Sequence, residues 1–287
     1  MPVIRYGEPL RILVSVKGHP FDRNAFASVF EDMPGVQASF VDQPAAGRLM
    51  NPDAMDGFDA LVLYDMPGID FGAERDKPGV VAPEASVKAG LKALLTQGKG
   101  VVALHHAIAG WPGWPEYADW LGGRFLYKPT LVRGRMCPDS GYRHDVAYDA
   151  ESADPAHPIL QGVPASFPLR DELYLYEVFE AEVRPLLRAR HAFVRDDFFS
   201  AHHAVARGRM FSNEGWDHAA GSNLIGWTKR AINSPLVYLQ PGDGPETYAN
   251  PDFRRIVRNA IEWVASEAAL AWARGERSSS ARQNETD

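Results

Sequence analysis

Short apolar strands alternating with amphipathic helices predict a doubly wound α/β fold, a mostly parallel sheet flanked by helices. Three observations carry this expectation. Leu10–Val16, Asp59–Tyr64 and Gly100–Leu104 are near-continuous apolar runs, as strands buried on both faces require. The first two close on turn-forming clusters, Lys17-Gly18-His19-Pro20 and Asp65-Met66-Pro67-Gly68, and the third runs into His105-His106-Ala107. Ahead of that third run lies a helical stripe, Val87, Leu91, Leu94 and Leu95, opened by Pro83-Glu84 and stopped by Gly98.

The remaining elements follow in order. A helix is expected from about Arg23 to Glu31, with Ala25, Phe26, Val29 and Phe30 at helical spacing, and then a strand from Val36 to Val41. From Gly122 to about Val183 the pattern turns strand-like and turn-rich, with His144–Tyr148 and Leu173–Phe179 as candidate strands. A further strand, Leu236–Gln240, ends at Pro241-Gly242-Asp243-Gly244-Pro245-Glu246. The last helix begins near Pro251 and carries Phe253, Ile256, Val257, Ala260, Ile261 and Val264 on one side. No internal repeat or Gly/Ser/Pro-rich linker divides the chain, so residues 1–273 are expected to form one domain and 274–287 a disordered tail.

Composition narrows the function classes. Of 287 residues, 45% are hydrophobic and 23% charged, the profile of a folded globular protein. The formal net charge is −7 and no basic stripe stands out, which argues against a nucleic-acid partner. The one cysteine, Cys137, rules out an intrachain disulfide and a cysteine-based zinc site, and suits a reducing compartment. Met1–Glu8 lacks an apolar signal core and no stretch is long enough to span a bilayer, so a soluble, cytoplasmic protein is expected, with no membrane partner.

No G-x-G-x-x-G, Walker-type, H-E-x-x-H or G-x-S-x-G motif is present. What remains is nine histidines, four of them in pairs. His105-His106 follows an apolar strand and precedes the small residues Ala107, Ala109 and Gly110, the setting of a sharp strand-to-helix elbow. In a parallel sheet, ligands bind beyond the carboxyl ends of the strands, so an imidazole there can be a general base or a metal ligand. The loops after the other strands place His19 near the same edge. His202-His203 is expected in a loop, and His203 with His105 and a carboxylate would suit zinc or iron. Asp243 and Glu246 lie beyond a strand, and Asp171-Glu172 precedes Leu173-Tyr174, which makes two acidic candidates. Trp111, Trp114, Tyr117 and Trp120 cluster after the elbow, as a sugar-stacking platform or as core.

Four stretches resemble the trehalose-utilisation, or ThuA-like, family, which has the class I glutamine amidotransferase-like (flavodoxin-like) fold with strand-rich insertions. They are Gly100–Ala107; Trp114-Pro115-Glu116-Tyr117 with Leu121-Gly122-Gly123-Arg124-Phe125; His157-Pro158-Ile159 with Gly162-Val163-Pro164 and Asp171-Glu172-Leu173-Tyr174; and Gly242–Tyr248. The resemblance implies that His105 stands where the amidotransferases have their nucleophilic cysteine, so thioester chemistry is not available. Asp243 departs from the family's pattern, which has histidine there. The resemblance further implies an enzyme of carbohydrate metabolism acting on a small sugar or keto-sugar, such as a 3-keto-glycoside. In that reading His105 is base or ligand at the elbow, and Glu172, Asp243 and Glu246 are acid–base or hydroxyl-binding groups. His19, His106, Trp111, Trp114, Tyr174 and His203 line the substrate. A non-catalytic sugar-binding module and a zinc- or iron-dependent hydrolase are the competing expectations, and a homo-oligomer is left open.

Overall fold

The computed structural model describes residues 9–70 and 79–276. Its first strand, Leu10–Val16 (β1), shows how the sequence makes two cores. Ile12, Val14 and Val16 join one apolar cluster and Leu13 the other, because successive side chains of a strand point to opposite faces. Helix Arg23–Glu31 (α1) covers the first face with Phe26, Val29 and Phe30. It is capped by Asp22, whose carboxylate accepts the Ala25 N–H at 2.9 Å. Strand Val36–Asp42 (β2) and, after the short helix Ala45–Leu49 (α2), strand Ala60–Leu63 (β3) pair parallel to β1 on either side.

Helix Ala85–Gln97 (α3) lays Val87, Leu91, Leu94 and Leu95 on the second face and ends at Gly98, whose φ of 95° permits its N–H to reach Leu94 and Leu95 carbonyls. Strand Gly100–Leu104 (β4) then pairs parallel to β3. Gly100 is required here, since a Cβ would run into the Val264 carbonyl oxygen of the final large helix.

After helix Pro115–Leu121 (α4), the turn-rich segment does not form a separate layer but extends the same sheet. Its strands are Gly141–Ser152 (β5), Ser166–Leu175 (β6), Arg184–Ala189 (β7) and the short Phe199–Ser200 (β8), followed by helix Ala201–Arg207 (α5). The hairpin Leu224–Ala231 (β9) and Ser234–Leu239 (β10) links this antiparallel half to the parallel half, because β10 pairs parallel to β4. The order across the sheet is β6-β5-β7-β9-β10-β4-β3-β1-β2, with β8 on β5. Helices Pro245–Ala249 (α6), Pro251–Val264 (α7) and Glu267–Arg274 (α8) close the chain.

The parallel half agrees with the sequence expectation nearly residue for residue. The strands β7 and β9 are not among the expected elements, and β5 and β6 are longer than the short runs singled out. Arg274 ends α8 and is capped by Gly275 rather than opening a tail, while residues 277–287 lie outside the described residues. The His202-His203 pair sits in α5, not in a loop, because the Ser200 hydroxyl accepts the His203 N–H and starts a helix.

Candidate active site

The carboxyl ends of β1, β3, β4 and β10 deliver His19, Tyr64, His105-His106 and Gln240–Asp243 to one edge, as open parallel sheets do. His105 occupies the elbow at φ 36°, a left-handed conformation that costs a non-glycine residue on the order of 1 kcal/mol. The residues after it form one short 3₁₀ turn, His105–Ala109, in which every side chain is buried. His105 Nδ1 lies 2.5 Å from the carbonyl oxygen of Gln240. A carbonyl only accepts, so Nδ1 carries a proton and Nε2 faces the other way.

Nε2 meets the far end of the sheet. Four strands separate β6 from β4 in the sheet order, yet Glu172 Oε2 is 3.1 Å and the Tyr174 hydroxyl 2.8 Å from His105 Nε2. A register shift in β5 between Arg143 and Val146 accompanies this return of the β5–β6 hairpin over the sheet edge. Glu172 and Tyr174 are two residues apart on β6 and therefore share a face. At the same shift His144 is turned inward, with Nδ1 3.1 Å from Glu172 Oε1.

Asp243 completes the cluster: its Oδ1 lies 3.5 Å from Nε2 of both His105 and His106. Asp171 places it, accepting the backbone N–H groups of Gly242 at 2.6 Å and Asp243 at 3.0 Å. Burial raises the Asp171 carboxyl to about 6, against the opposing pull of His105 and these N–H donors. His105, His106, Glu172 and Asp243 each offer one ligand atom, all within 4.8 Å of one another.

The two histidines of the elbow are driven apart. Burial opposes a charge on His105, but the bonds and charges of Asp243 and Glu172 outweigh it and hold its pKa well above the ordinary value. His106, 1% exposed, is pushed well below it by burial and by the neighbouring His105, His19 and His144. Neither ring nitrogen of His106 has a hydrogen-bond partner. Its ring lies 4.2 Å from that of His19 and edge-on to Tyr64 at 5.1 Å. His19 donates Nδ1–H to the Pro20 carbonyl at 2.9 Å, and burial lowers its pKa despite Glu172 and Asp243.

The structure thus gathers six of the expected site residues: His105, His106, His19, Glu172, Tyr174 and Asp243. Others stand elsewhere. Glu246 is exposed in the first turn of α6. Trp114 is a core residue, 3% exposed, stacked on Tyr117 and edge-on to Trp120, so no ring face is left for a sugar. Trp111 is half-buried against the Pro67–Gly68 turn, its N–H on the Pro67 carbonyl at 2.6 Å. His203 is buried on α5 and is not part of the metal-ligating group found among the described residues. The residue that sequence reasoning missed is His144; its signal is the polar run Arg143-His144-Asp145, which breaks strand alternation where the register shifts.

Solved structures with the same fold include a ThuA-like protein from Parabacteroides merdae, at TM-score 0.61 and 15% identity over 90% of this chain and 91% of that one. Another ThuA-like protein, from Bacteroides uniformis, aligns at TM-score 0.61 and 16% identity over 93% and 96%. A cytoplasmic protein from Salmonella typhimurium aligns at TM-score 0.53 and 9% identity over 89% and 98%. No curated protein matches the sequence. Among the described residues no helix is long and apolar enough to cross a membrane. The family model for trehalose utilisation matches residues 12–264, nearly the whole described fold including every residue of the cluster, and the chain therefore belongs to the ThuA family, with the carbohydrate-related role that description carries.

Proposed function

We propose that the protein is an enzyme acting on a sugar or keto-sugar derivative, with its chemistry centred on His105 Nε2. One observation carries this reading: a buried imidazole, fixed from Nδ1 by the Gln240 carbonyl, aims its Nε2 at two carboxylates and a phenol, at the ligand-binding edge of an α/β sheet. A carbonyl or hydroxyl entering the cluster meets Tyr174 as donor, and Glu172 and Asp243 as acceptors. The one cysteine, Cys137, lies outside the cluster, so acyl transfer through a thioester is not part of the proposal. A cytoplasmic setting is supported by the buried lone cysteine and by the likeness to the Salmonella protein described as cytoplasmic.

The sugar wall moves from the tryptophans to Phe211. Its ring is 58% exposed, 6.0 Å from the ring of His144 and 5.7 Å from that of Phe199. Its backbone sits at φ 57° and donates its N–H to the Tyr142 hydroxyl at 3.0 Å. An exposed aromatic held in a strained conformation beside His144 suits the apolar face of a pyranose ring.

The test is a screen of glycosides and 3-keto-glycosides with wild type and His105→Ala. The expected result is turnover by wild type and at least about a hundredfold loss in the variant, whose circular dichroism stays like wild type. Stabilisation by a sugar without conversion would overturn the enzymatic reading and leave a binding protein.

A further inference from the structure

We propose that the cluster binds one divalent transition-metal ion through Nε2 of His105, Nε2 of His106, a Glu172 oxygen and Asp243 Oδ1. The proposal rests on the functional reading above and names the cofactor of that same site. It replaces the expected pairing of His105 with His203, since the second imidazole at the cluster is His106.

Spacing is the first argument. Three of the six edges are 3.1 Å, between His105 and Glu172, and 3.5 Å, from Asp243 to each histidine, and all four ligand atoms lie within 4.8 Å of one another. A tetrahedral site with bonds of about 2.0–2.1 Å has ligand–ligand edges of about 3.3–3.4 Å. The second is the bare His106 imidazole. Both its nitrogens are buried without a hydrogen bond, a state that costs folding free energy, and an ion among the four groups gives Nε2 a bonded partner.

The third is the support behind the ligands. The Gln240 carbonyl fixes the ring of His105 from Nδ1, and His144 Nδ1 holds the Glu172 oxygen that does not face His105. Metal-binding histidines and carboxylates are oriented by such bonds. Two imidazoles with two carboxylates favour zinc, ferrous iron or manganese over magnesium or calcium, whose sites are all oxygen. When bound, the ion would supply Lewis-acid polarisation of a sugar carbonyl or hydroxyl. His105 would then be a ligand, and the Tyr174 hydroxyl, now bonded to its Nε2, would be free to donate to substrate.

The experiment uses the full chain purified without chelator or added metal. Elemental mass spectrometry is expected to find close to one divalent ion per chain. After removal of that ion, titration with cobalt(II) chloride should give visible d–d bands that saturate at one equivalent. Asp243→Asn, at the rim of the cluster and so tolerated by the fold, should lose both the ion and the bands. His144→Ala should weaken cobalt affinity about 10- to 100-fold. Absence of an ion together with absence of cobalt bands would overturn the proposal, as would an Asp243→Asn variant that binds cobalt like wild type. Sugar turnover that survives complete metal removal sinks this inference but keeps the enzymatic reading. A stoichiometric ion without turnover of any sugar does the reverse.

Discussion

At the scale of single residues, the family motifs divide between chemistry and structure. His157 of the His-Pro-Ile motif is a cap: its Nδ1 accepts the Ile159 N–H at 3.2 Å and its ring packs on Trp263 at 5.0 Å. Burial, helped by Arg184, lowers its pKa from 6.5 to about 4. Between those values the unfolded chain takes up a proton that the folded chain refuses, so stability is full above pH 6.5 and falls as the pH drops towards 4. The loss is about 3 kcal/mol. Urea unfolding of wild type and His157→Asn across this window measures it; asparagine keeps the cap acceptor and should flatten that part of the profile. Asp171 is the second structural residue at the site. Asp171→Asn presents an amide to the N–H groups of Gly242 and Asp243, and should cost about 1–3 kcal/mol in chemical denaturation while displacing Asp243 from the histidines.

The elements show which local signals suffice. β1, α1, β3, α3 and β4 are readable because each has a single period, a cap or a stop: Asp22 before α1 and Gly98 after α3 are local chemistry. The contact of β4 with α7 depends on an absent side chain. Gly100→Ala would drive a Cβ into the Val264 carbonyl, and differential scanning calorimetry should record a destabilisation of about 1–3 kcal/mol. The antiparallel strands β7 and β9 are harder to read. Leu224–Ala231 is buried at all but one position, so alternation is lost, and its pairing with β10 is a matter of tertiary register.

For the molecule as a whole, the site is a junction between the two halves of the sheet. β4 and β10 supply the histidines and Asp243, and the β5–β6 hairpin supplies His144, Glu172 and Tyr174 from the opposite edge. Anything that binds there ties the halves together and favours only the folded state. A ligand or ion at a hundred times its dissociation constant should therefore add about 2.7 kcal/mol to stability, read as a rise in melting temperature that Asp243→Asn removes.

By itself the sequence determined the doubly wound core, the elbow at His105 and the acidic pair at 171–172, because strand and helix periodicity, caps and turn residues act within a few positions. It also limited the chemistry, since a chain with one cysteine and no nucleotide motif has histidines and carboxylates to work with. The tertiary structure alone decided which of those groups meet. His106 faces the cluster while His203 packs on α5, Trp114 fills the core while Phe211 is exposed, and His144 is turned in by a register shift. Each of these depends on how a curled sheet brings its edges together over more than sixty residues of sequence, as the His105–Glu172 contact does with a separation of 67. No local period encodes such a meeting; it follows from packing two apolar faces at once.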